Sequence, residues 1–510
     1  MIFTTSKKHW IGDRANKYPD ECFIIAPEEK FSYNEFYNNC LFVKNILLQN
    51  GIRENNHVGI LFSHNYNFFV IVNALWLIGA IPVPFNTRNT KSEIGYQLKL
   101  AVIKNLIIDK KLEQEFHFQN VKLIIHDSKP CLPADMFTTQ HPKFEFHNLK
   151  SKILTTKYSI LNTALIMFTS GSIGKPKAVV HTFKSLLESV KTTDSFSSLS
   201  KKNIWLASLP FYHIGGFMIL CRSLISGSKV VFPHSPKYKD VKKAIEVSNP
   251  THISLVPSVL KQFLKNSINP NKSIKHVFVG GGPIDSDLCL SAAKRNWPIV
   301  NVYGSTETCS MVTALETKKF FTNGCSVGKA IGKNKIKIMS LPAVILAGKI
   351  TYEDKYSIGE ILVKSNSLFK EYYNDAITTT NSLKNGWYYS GDFGWINKNG
   401  FLYVGSRRED LIITGGENVS VKEIQNTILE IPFVKDAYVF GIPDKKWGQK
   451  VCAAVVLKNN AEKNLTDFLR TKLAGYKIPK QFYIVKNIPK NEMGKIKRLE
   501  LFNQLKISLS

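Results

Sequence analysis

The feature that most constrains this chain is an apolar run that ends abruptly in glycine, hydroxyl and lysine residues. Residues 167–180 read MFTSGSIGKPKAVV. Glycines allow the positive-φ turns that point successive N–H groups at an anion, while hydroxyls add donors and lysines add charge. The stretch therefore predicts a strand that leads into a loop for triphosphate or pyrophosphate. The loop residues expected at this site are Thr169, Ser170, Gly171, Ser172, Gly174 and Lys177.

The loop differs from the Walker A loop of P-loop NTPases. That motif spaces its glycines differently and follows its lysine with a Ser or Thr that binds magnesium, whereas Pro176 follows Lys175 here. A glycine- and serine-rich surface turn is the alternative interpretation of so short a match. The remaining motifs of the chain decide between the two.

Composition favours a globular protein of two or more domains that binds anions. A chain of 510 residues is too long for one compact core, and 44% hydrophobic with 21% charged residues is typical of soluble proteins. The formal charge of +29 predicts attraction for nucleotides, coenzyme A, nucleic acid or an acidic membrane surface. We do not expect nucleic-acid binding, because the basic residues are scattered, without an arginine-rich tail or a stripe interleaved with aromatic residues.

Cysteine spacing and hydropathy predict a cytoplasmic protein. The eight cysteines are widely spaced and form no C-x-x-C pair, which is typical of reduced thiols and not of a zinc site. Residues 1–20 contain no apolar segment of a secretory signal. The most apolar run, residues 68–85, is interrupted by polar residues and prolines, so we predict no transmembrane segment but a buried helix followed by a strand.

Four further motifs follow the loop along the chain. They read PFYHIGGF at 210–217, VYGSTET at 302–308, GWYYSGDFG at 386–394 and PKNEMGK at 489–495, with a triple glycine at 280–282 and a charged segment at 404–410. A carboxylate such as Glu307 beside a phosphate site suits magnesium, which prefers oxygen ligands. Taken alone, His213 would more often lie in a packed core, and the pair Thr306–Glu307 would more often cap a helix.

Together these motifs resemble those of the adenylate-forming superfamily, which includes acyl-CoA synthetases, peptide-synthetase adenylation domains and luciferases. Five motifs occur in the family's order over nearly the whole chain. The resemblance implies an α/β fold, in which a large N-terminal domain of layered α/β subdomains is joined by a hinge to a small, mobile α+β C-terminal domain. We expect an AMP-binding domain at 1–406 and a lid domain at 407–510.

The resemblance also implies roles at the nucleotide site. Gly282 and Tyr303 would lie against adenine, Thr306 would contact the α-phosphate, and Glu307 would hold Mg²⁺. Asp392 and Arg407 would bind the ribose hydroxyls. We expect Lys495, together with Glu307, Thr306 and His213, to take part in catalysis, and Lys495 also to contact ATP.

Two more groups of residues follow from the resemblance. His213 and Gly216 would line the pocket of the carboxylic acid, where Arg222 would suit an acid with a second carboxylate; a core or surface arginine is the alternative. Arg408 and Glu409 would form the hinge. Three positions depart from the family's pattern, namely Ile173, Ser390 and Met493.

The resemblance implies an ATP-dependent acid–thiol ligase that forms an acyl-adenylate and then a thioester with coenzyme A. Several local strings are similar to o-succinylbenzoate-CoA ligases of menaquinone and phylloquinone synthesis. Alternative acids are medium-chain fatty or aryl acids, an alternative acceptor is a carrier protein, and a luciferase-type oxygenase is more distant. A degenerate nucleotide-binding scaffold is the non-enzymatic alternative, and the three departures are its only support. A homodimer is possible.

Overall fold

The computed structural model describes most of the chain in two compact units. The described residues are 9–126, 137–138, 159–169, 176–282, 284, 286–324, 326–340, 359–407, 411–414, 417–444, 448–458, 465–473, 475, 477–490 and 496–507. The first unit comprises Met1–Lys335 with Lys364–Tyr388, and the second comprises Ile336–Val363 with Tyr389–Ser510. The predicted boundary at 406/407 marks a hinge for movement, which a division by compactness does not test, so it stays a prediction.

The first unit begins with a sheet whose strands run parallel. Its order is β4-β3-β5-β6-β7, and only β7 is antiparallel. The elements of this part are α1 (Trp10–Lys17), β1 (Cys22–Ile25), β2 (Lys30–Ser32), α2 (Tyr33–Gln49), β3 (His57–Leu61), α3 (Tyr66–Ile78), β4 (Ile81–Pro84), α4 (Lys91–Leu100), β5 (Asn105–Asp109), β6 (Lys122–His126) and β7 (Phe137–Thr138).

Helix α3 confirms the prediction of a buried helix followed by a strand. Twelve of its thirteen residues are buried, and β4 follows after the glycine that ends the helix. A helix that is apolar on all sides belongs in a protein core when it is too short for a bilayer. Within the described part of the chain, no helix combines the length and the apolar character that crossing a membrane requires.

A nine-stranded sheet forms the centre of the first unit. Its order is β16-β15-β14-β13-β12-β10-β11-β1-β2, with parallel pairing from β14 to β1. Its further elements are α6 (Ile214–Ser226), β10 (Ile204–Leu206), β11 (Lys229–Val231), α7 (Tyr238–Ser248), β12 (His252–Leu255), α8 (Pro257–Lys265), β13 (His276–Val279), α9 (Ser286–Lys294), β14 (Ile299–Ser305), β15 (Ser310–Glu316), a 3-10 turn at Thr317–Lys319, α10 (Phe320–Asn323) and β16 (Lys329–Ala330).

A small antiparallel sheet carries the predicted phosphate loop. It consists of β8 (Thr163–Phe168), β9 (Ala178–Thr182) and β19 (Glu371–Tyr372), in the order β19-β9-β8. Helix α5 (Phe183–Ser197) follows β9 and begins with a capping box between Thr182 and Ser185. Helix α11 (Ala376–Ser382) and β20 (Leu383–Lys384) complete the first unit.

The second unit contains two further sheets. In the first, β17 (Lys335–Ser340), β18 (Gly359–Lys364), β21 (Trp387–Ile396) and β22 (Leu402–Arg407) pair in that order, and β20 pairs with the beginning of β21. The second sheet has the order β24-β23-β26-β25, with β27 beside β26. Its elements are β23 (Leu411–Thr414), β24 (Glu417–Ser420), α12 (Val421–Leu429), β25 (Val434–Asp444), β26 (Gly448–Leu457), α13 (Leu465–Arg470), β27 (Gln481–Ile484) and α14 (Arg498–Gln504).

The second unit has a hydrophobic core of its own. Ile424 and Ile428 of α12 pack on Val439 and Val451 of the long antiparallel pair β25–β26. Mixed helices and antiparallel strands around one core are the α+β architecture. The predicted fold class, with layered α/β in the large part and α+β in the small part, is confirmed.

Candidate active site

The predicted phosphate loop connects two antiparallel strands. Phe168 of β8 pairs with Ala178 of β9, and the Thr169 N–H donates to the Lys177 carbonyl over 2.9 Å. Both ends of the loop are therefore fixed by the hairpin that carries it. The predicted contacts within the loop lie outside the described residues; these are Ser170, Gly171, Ser172 and Gly174, together with the departure Ile173.

Thr306 and Glu307 lie in a tight turn between β14 and β15, and no helix follows them. The helix-cap interpretation is therefore wrong: Thr306 accepts from the Cys309 N–H over 3.0 Å and closes the turn. Cys309 and Ser310 have φ angles of 57° and 90°, which few residues other than glycine adopt. Such a conformation persists only where surrounding contacts hold it, and it is common at functional sites.

Glu307 is a nearly buried carboxylate that accepts one hydrogen bond. It is 9% exposed, and the Tyr372 hydroxyl donates to its Oε1 over 2.9 Å. Burial and the adjacent carboxylate raise the pKa of Tyr372, so the phenol keeps its proton and acts as the donor. Lys177 Nζ lies 4.9 Å from the centre of the Tyr372 ring. Strand β19 thus brings the loop lysine close to Glu307.

These residues fit a magnesium ion held mainly by phosphate. Glu307 Oε2 receives no hydrogen bond from a described residue, so this oxygen is available to a hard cation. Within the described chain, no group of three or more His, Cys, Asp or Glu side chains could hold a metal. Mg²⁺ commonly binds one or two carboxylates, with phosphate oxygens and water as its other ligands.

His181 connects the phosphate-loop hairpin to the Thr306 turn. It is fully buried on β9, and its Nε2 lies 2.8 Å from the Thr306 carbonyl oxygen. Burial lowers the pKa of His181 to about 4, so the ring is neutral at pH 7. Because a carbonyl only accepts, Nε2 carries the proton and donates, and Nδ1 accepts from the Ser185 hydroxyl, 3.1 Å away.

The segment expected to line the acid's pocket begins helix α6. His213 is the N-cap residue of α6 but makes no side-chain cap, and its ring packs on Tyr212 with centroids 4.8 Å apart. Burial, with a smaller effect from Arg88, lowers the pKa of His213 to about 4. Gly216 permits a close approach, since a Cβ there would lie 2.2 Å from the Pro210 carbonyl oxygen. This segment is therefore neutral at His213 and tightly packed at Gly216.

Arg222 is a buried cation on the same helix. It is 2% exposed, its Nε donates to Thr193 Oγ1 over 3.0 Å, and its Nη2 donates to Ser310 Oγ over 2.9 Å. The guanidinium also lies over the Trp205 ring at 5.5 Å. Burial lowers the pKa of Arg222 to about 10, which leaves it charged at pH 7. Through Ser310, it joins α6 to the turn that carries Glu307.

The predicted adenine contacts lie at the carboxyl edge of the nine-stranded sheet. Tyr303 is half-buried near the end of β14, and Gly282 is exposed after the neighbouring parallel strand β13. Gly304 lies beside the turn, where a Cβ would come 2.0 Å from the Ser310 carbonyl oxygen. Ligands of parallel sheets commonly bind at this edge.

In the second unit, the predicted ribose residues pair across two strands. Asp392 of β21 is directly opposite Arg407 of β22, and Asp392 is 7% exposed. Ser390, which departs from the family's threonine, still donates to the Ile361 carbonyl over 2.6 Å and accepts from the Asp392 N–H over 3.1 Å. The serine hydroxyl therefore joins β21 to β18 and also bonds within β21. Arg408, Glu409, Met493 and Lys495 lie outside the described residues.

Comparison with known proteins identifies the family. The model of the AMP-binding enzyme family matches residues 11–373, and the model of the AMP-binding enzyme C-terminal domain matches residues 423–495. The chain belongs to the AMP-binding enzyme family. The predicted membership of the adenylate-forming superfamily is thus confirmed.

Relatives of this AMP-binding enzyme extend over almost its whole length. It is 31% identical over 497 residues to the 2-succinylbenzoate–CoA ligase of Listeria monocytogenes, with 97% of this chain and 98% of the relative covered. The same ligase of Bacillus subtilis is 31% identical over 504 residues, with 98% of each chain covered. These relatives support the expectation of an AMP-forming ligase that joins an acid to coenzyme A.

Solved structures also resemble this AMP-binding enzyme over almost its whole length. The o-succinylbenzoate CoA synthetase of Bacillus subtilis in complex with its acyl-adenylate intermediate has a TM-score of 0.83 at 30% identity, and 98% of each chain is covered. The same protein in complex with ATP and magnesium has a TM-score of 0.82 at 29% identity, covering 98% of this chain and 99% of that one. A fatty acyl CoA synthetase of Mycobacterium tuberculosis has a TM-score of 0.73 at 25% identity, with 98% of each covered.

Sequence patterns alone did not reveal three side chains of this AMP-binding enzyme that contact the candidate site. They are His181, Tyr372 and Glu360, whose Oε1 accepts from the Gly391 N–H over 2.9 Å. The sequence contains a weak signal for His181. A histidine in an apolar strand needs a hydrogen-bond partner, and residues with hydroxyl groups follow β9. Tyr372 has no such signal, since its partner is 65 positions away in the sequence.

Proposed function

We propose that this AMP-binding enzyme is an o-succinylbenzoate–CoA ligase of menaquinone or phylloquinone synthesis. The acid and ATP give an acyl-adenylate and pyrophosphate, and coenzyme A then displaces AMP to form the thioester. The observation that carries the proposal is Arg222, a buried cation joined through Ser310 to the turn of Glu307. The relatives' substrate, which their names give as 2-succinylbenzoate, supports the choice of acid.

The first step needs charge neutralisation more than a protein nucleophile. A carboxylate attacks the polyanionic ATP poorly unless the phosphate charge is screened and the attack is held in line. Mg²⁺ bound at Glu307 would supply part of that screening. The loop N–H groups, Lys177 and Lys495 supply the rest, and Thr306 contacts the α-phosphate. Asp392 and Arg407 hold the ribose.

Arg222 is suited to a second carboxylate of the acid. No described carboxylate lies within 4.0 Å of its guanidinium, and no described acceptor is assigned to its Nη1. A buried cation without a charged partner is costly, and an acid that supplies a carboxylate would lower that cost. His213 and Gly216 would form the neutral wall against the rest of the acid.

A cavity in the first unit suits the phosphates of coenzyme A. It has a volume of about 440 Å³ and lies where β3, β5 and β11 end, with Arg88 and Lys111 as cations and Glu28 as a carboxylate in its lining. Crevices at the carboxyl ends of parallel strands are common nucleotide sites. Tyr212 lines this cavity and packs on His213, so the cavity adjoins the proposed acid pocket.

The second step requires the catalytic lysine to leave the site. We propose that Arg408 and Glu409 act as a hinge on which the lid domain, residues 407–510, rotates, so that Lys495 gives way to the thiol. The enzyme would work in the cytoplasm, as a monomer or a homodimer.

The test of this function is ATP–pyrophosphate exchange with a panel of acids. We expect o-succinylbenzoate to support exchange at least tenfold better than medium-chain fatty or aryl acids, and coenzyme A to convert the adenylate to a thioester. Exchange with a fatty acid and none with o-succinylbenzoate would contradict the proposed substrate. A product formed only on a carrier protein would contradict the proposed acceptor.

The variant Arg222→Leu tests the second carboxylate. We expect exchange with o-succinylbenzoate to fall about 100-fold, because a charged group would lose its partner in a desolvated pocket. Monocarboxylic acids should lose less than about threefold. An equal loss for both classes would mean that Arg222 acts only through Thr193 and Ser310, as a structural residue.

A further inference from the structure

Helix α10 presents a phenylalanine to solvent. Phe321 is 65% exposed, whereas the adjacent Phe320 is 2% exposed and anchors the helix. A single exposed apolar side chain is common on protein surfaces and carries no meaning by itself. The residues that surround Phe321, however, indicate a function for it.

Hydrogen bonds draw the ends of three neighbouring elements together around α10. Thr317 donates to the carbonyls of Trp297 and Ile299, over 3.0 and 2.8 Å, and so joins the segment before α10 to the chain after α9. Arg295 donates to the Leu264 carbonyl and joins the end of α9 to the end of α8. We call the exposed residues gathered here the basic–aromatic patch: Lys265, Lys294, Arg295, Lys318, Lys319 and Phe321.

Among the described residues, no ion pair neutralises the charge of the patch. In the part of the chain that the structure describes, no carboxylate lies within 4.0 Å of any of the five cations. Glu316, the acidic residue next to this segment, is half-buried and acts on His276 instead. Five cations with no described carboxylate in contact leave a positive surface, in a chain whose formal charge is already +29.

We propose that the basic–aromatic patch binds anionic lipid bilayers. Lysines attract acidic headgroups, and an exposed aromatic ring gains free energy by entering the interface between headgroups and acyl chains. Single-stranded nucleic acid fits less well, because it requires a groove with successive stacking rings, and the patch offers only Phe321. With one ring and five charges, the attachment is reversible.

Binding at the patch leaves the candidate active site free. Thr317 donates a hydrogen bond to the carbonyl of Ile299, the first residue of β14, whereas Glu307 lies just after the last residue of that strand. A strand of this length separates the two by about 20 Å, at about 3.3 Å per residue. The patch and the catalytic turn therefore lie at opposite ends of strand β14. Mutations can for this reason affect lipid binding and adenylation separately.

Vesicle co-sedimentation of the full chain tests the proposal. We expect binding to vesicles of phosphatidylcholine with about one third phosphatidylglycerol, and none to phosphatidylcholine alone. The double variant Lys318→Gln/Lys319→Gln should weaken binding roughly 30-fold, since each lysine near an acidic surface contributes about a fivefold factor. Phe321→Ser should weaken it about tenfold. Both variants should keep wild-type rates of ATP–pyrophosphate exchange.

Matched variants control for total charge and for exposed apolar surface. Lys99→Gln/Lys104→Gln removes two exposed lysines from another surface, and Ile377→Ser removes a side chain that is 78% exposed on α11. Both should bind vesicles as the wild type does. Equal losses in the control and patch variants would overturn the proposal in favour of non-specific charge attraction. Unaltered binding of the patch variants, or displacement of vesicles by a single-stranded RNA homopolymer that binds the patch more tightly, would overturn it too.

Discussion

Replacing His181 should impair adenylation without unfolding the protein. The imidazole Nε2–H supplies one of two hydrogen bonds to the Thr306 carbonyl, and the Cys309 N–H supplies the other. In His181→Leu, the carbonyl of the half-buried Thr306 loses one of its two donors, at a cost of about 1–3 kcal/mol. The turn has two residues at positive φ, so part of this cost is expected to appear as a displacement of Glu307.

The expected loss follows from that energy. If the destabilisation falls on the transition state for adenylate formation, kcat/KM drops roughly 10- to 100-fold, since each 1.4 kcal/mol is tenfold in rate. His181→Gln keeps an N–H donor near the position of Nε2 and should lose less than about threefold. We would measure ATP–pyrophosphate exchange as a function of magnesium concentration, and we expect His181→Leu to require more magnesium than His181→Gln.

A variant at a second buried histidine distinguishes an effect on the position of Glu307 from an effect on the stability of the protein. His252 on β12 is also fully buried, and its Nδ1 lies 2.8 Å from the Thr251 hydroxyl, remote in sequence from the turn. His252→Leu should lower the thermal unfolding midpoint by an amount similar to His181→Leu and leave the magnesium dependence unchanged. The reasoning is refuted if His181→Leu titrates with magnesium like the wild type, or if His252→Leu shifts that titration equally.

Three further predictions concern catalysis and stability. Lys495→Ala should slow adenylation by at least about 100-fold, roughly 3 kcal/mol, and largely spare thioester formation from a supplied acyl-adenylate; equal losses in both assays would contradict the two-conformation mechanism. Glu307→Gln should raise the magnesium requirement steeply because the ligand loses its charge, and an unchanged titration would remove Glu307 from the metal site. Burial lowers the pKa of His9 and His252 to about 3 and of His181 to about 4. Their contribution to stability is therefore fully present above the unfolded pKa of 6.5, and it is lost as the pH falls from 6.5 towards these folded pKa values. Each should cost about 2 kcal/mol at pH 5, and a free energy of unfolding in urea that is equal at pH 7.5 and pH 5 would contradict this.

A strand that ends in a loop could be predicted from residues 167–177 because the pattern is local, and the phosphate contacts of this loop stay a prediction. A strand, two glycines, hydroxyls and lysines follow one another within fourteen residues, so spacing alone fixes which groups can converge on an anion. The same applies to Ser390 and Asp392, which are two positions apart on one strand and are joined by a hydrogen bond. The buried helix α3 was equally predictable, because an apolar run that is too short to span a membrane is expected in the protein core.

Contacts between distant parts of the chain were decided by the tertiary structure. His181 and Thr306 are 125 positions apart, Glu307 and Tyr372 are 65 apart, and Arg222 and Ser310 are 88 apart. Which of these residues meet depends on the order of strands in the sheets, and one sequence does not specify that order. For the same reason, Thr306 and Glu307 suggested a helix cap when taken alone. The sequence therefore determined the kind of ligand and the residues expected to meet it, whereas packing determined which buried side chains hold those residues in place.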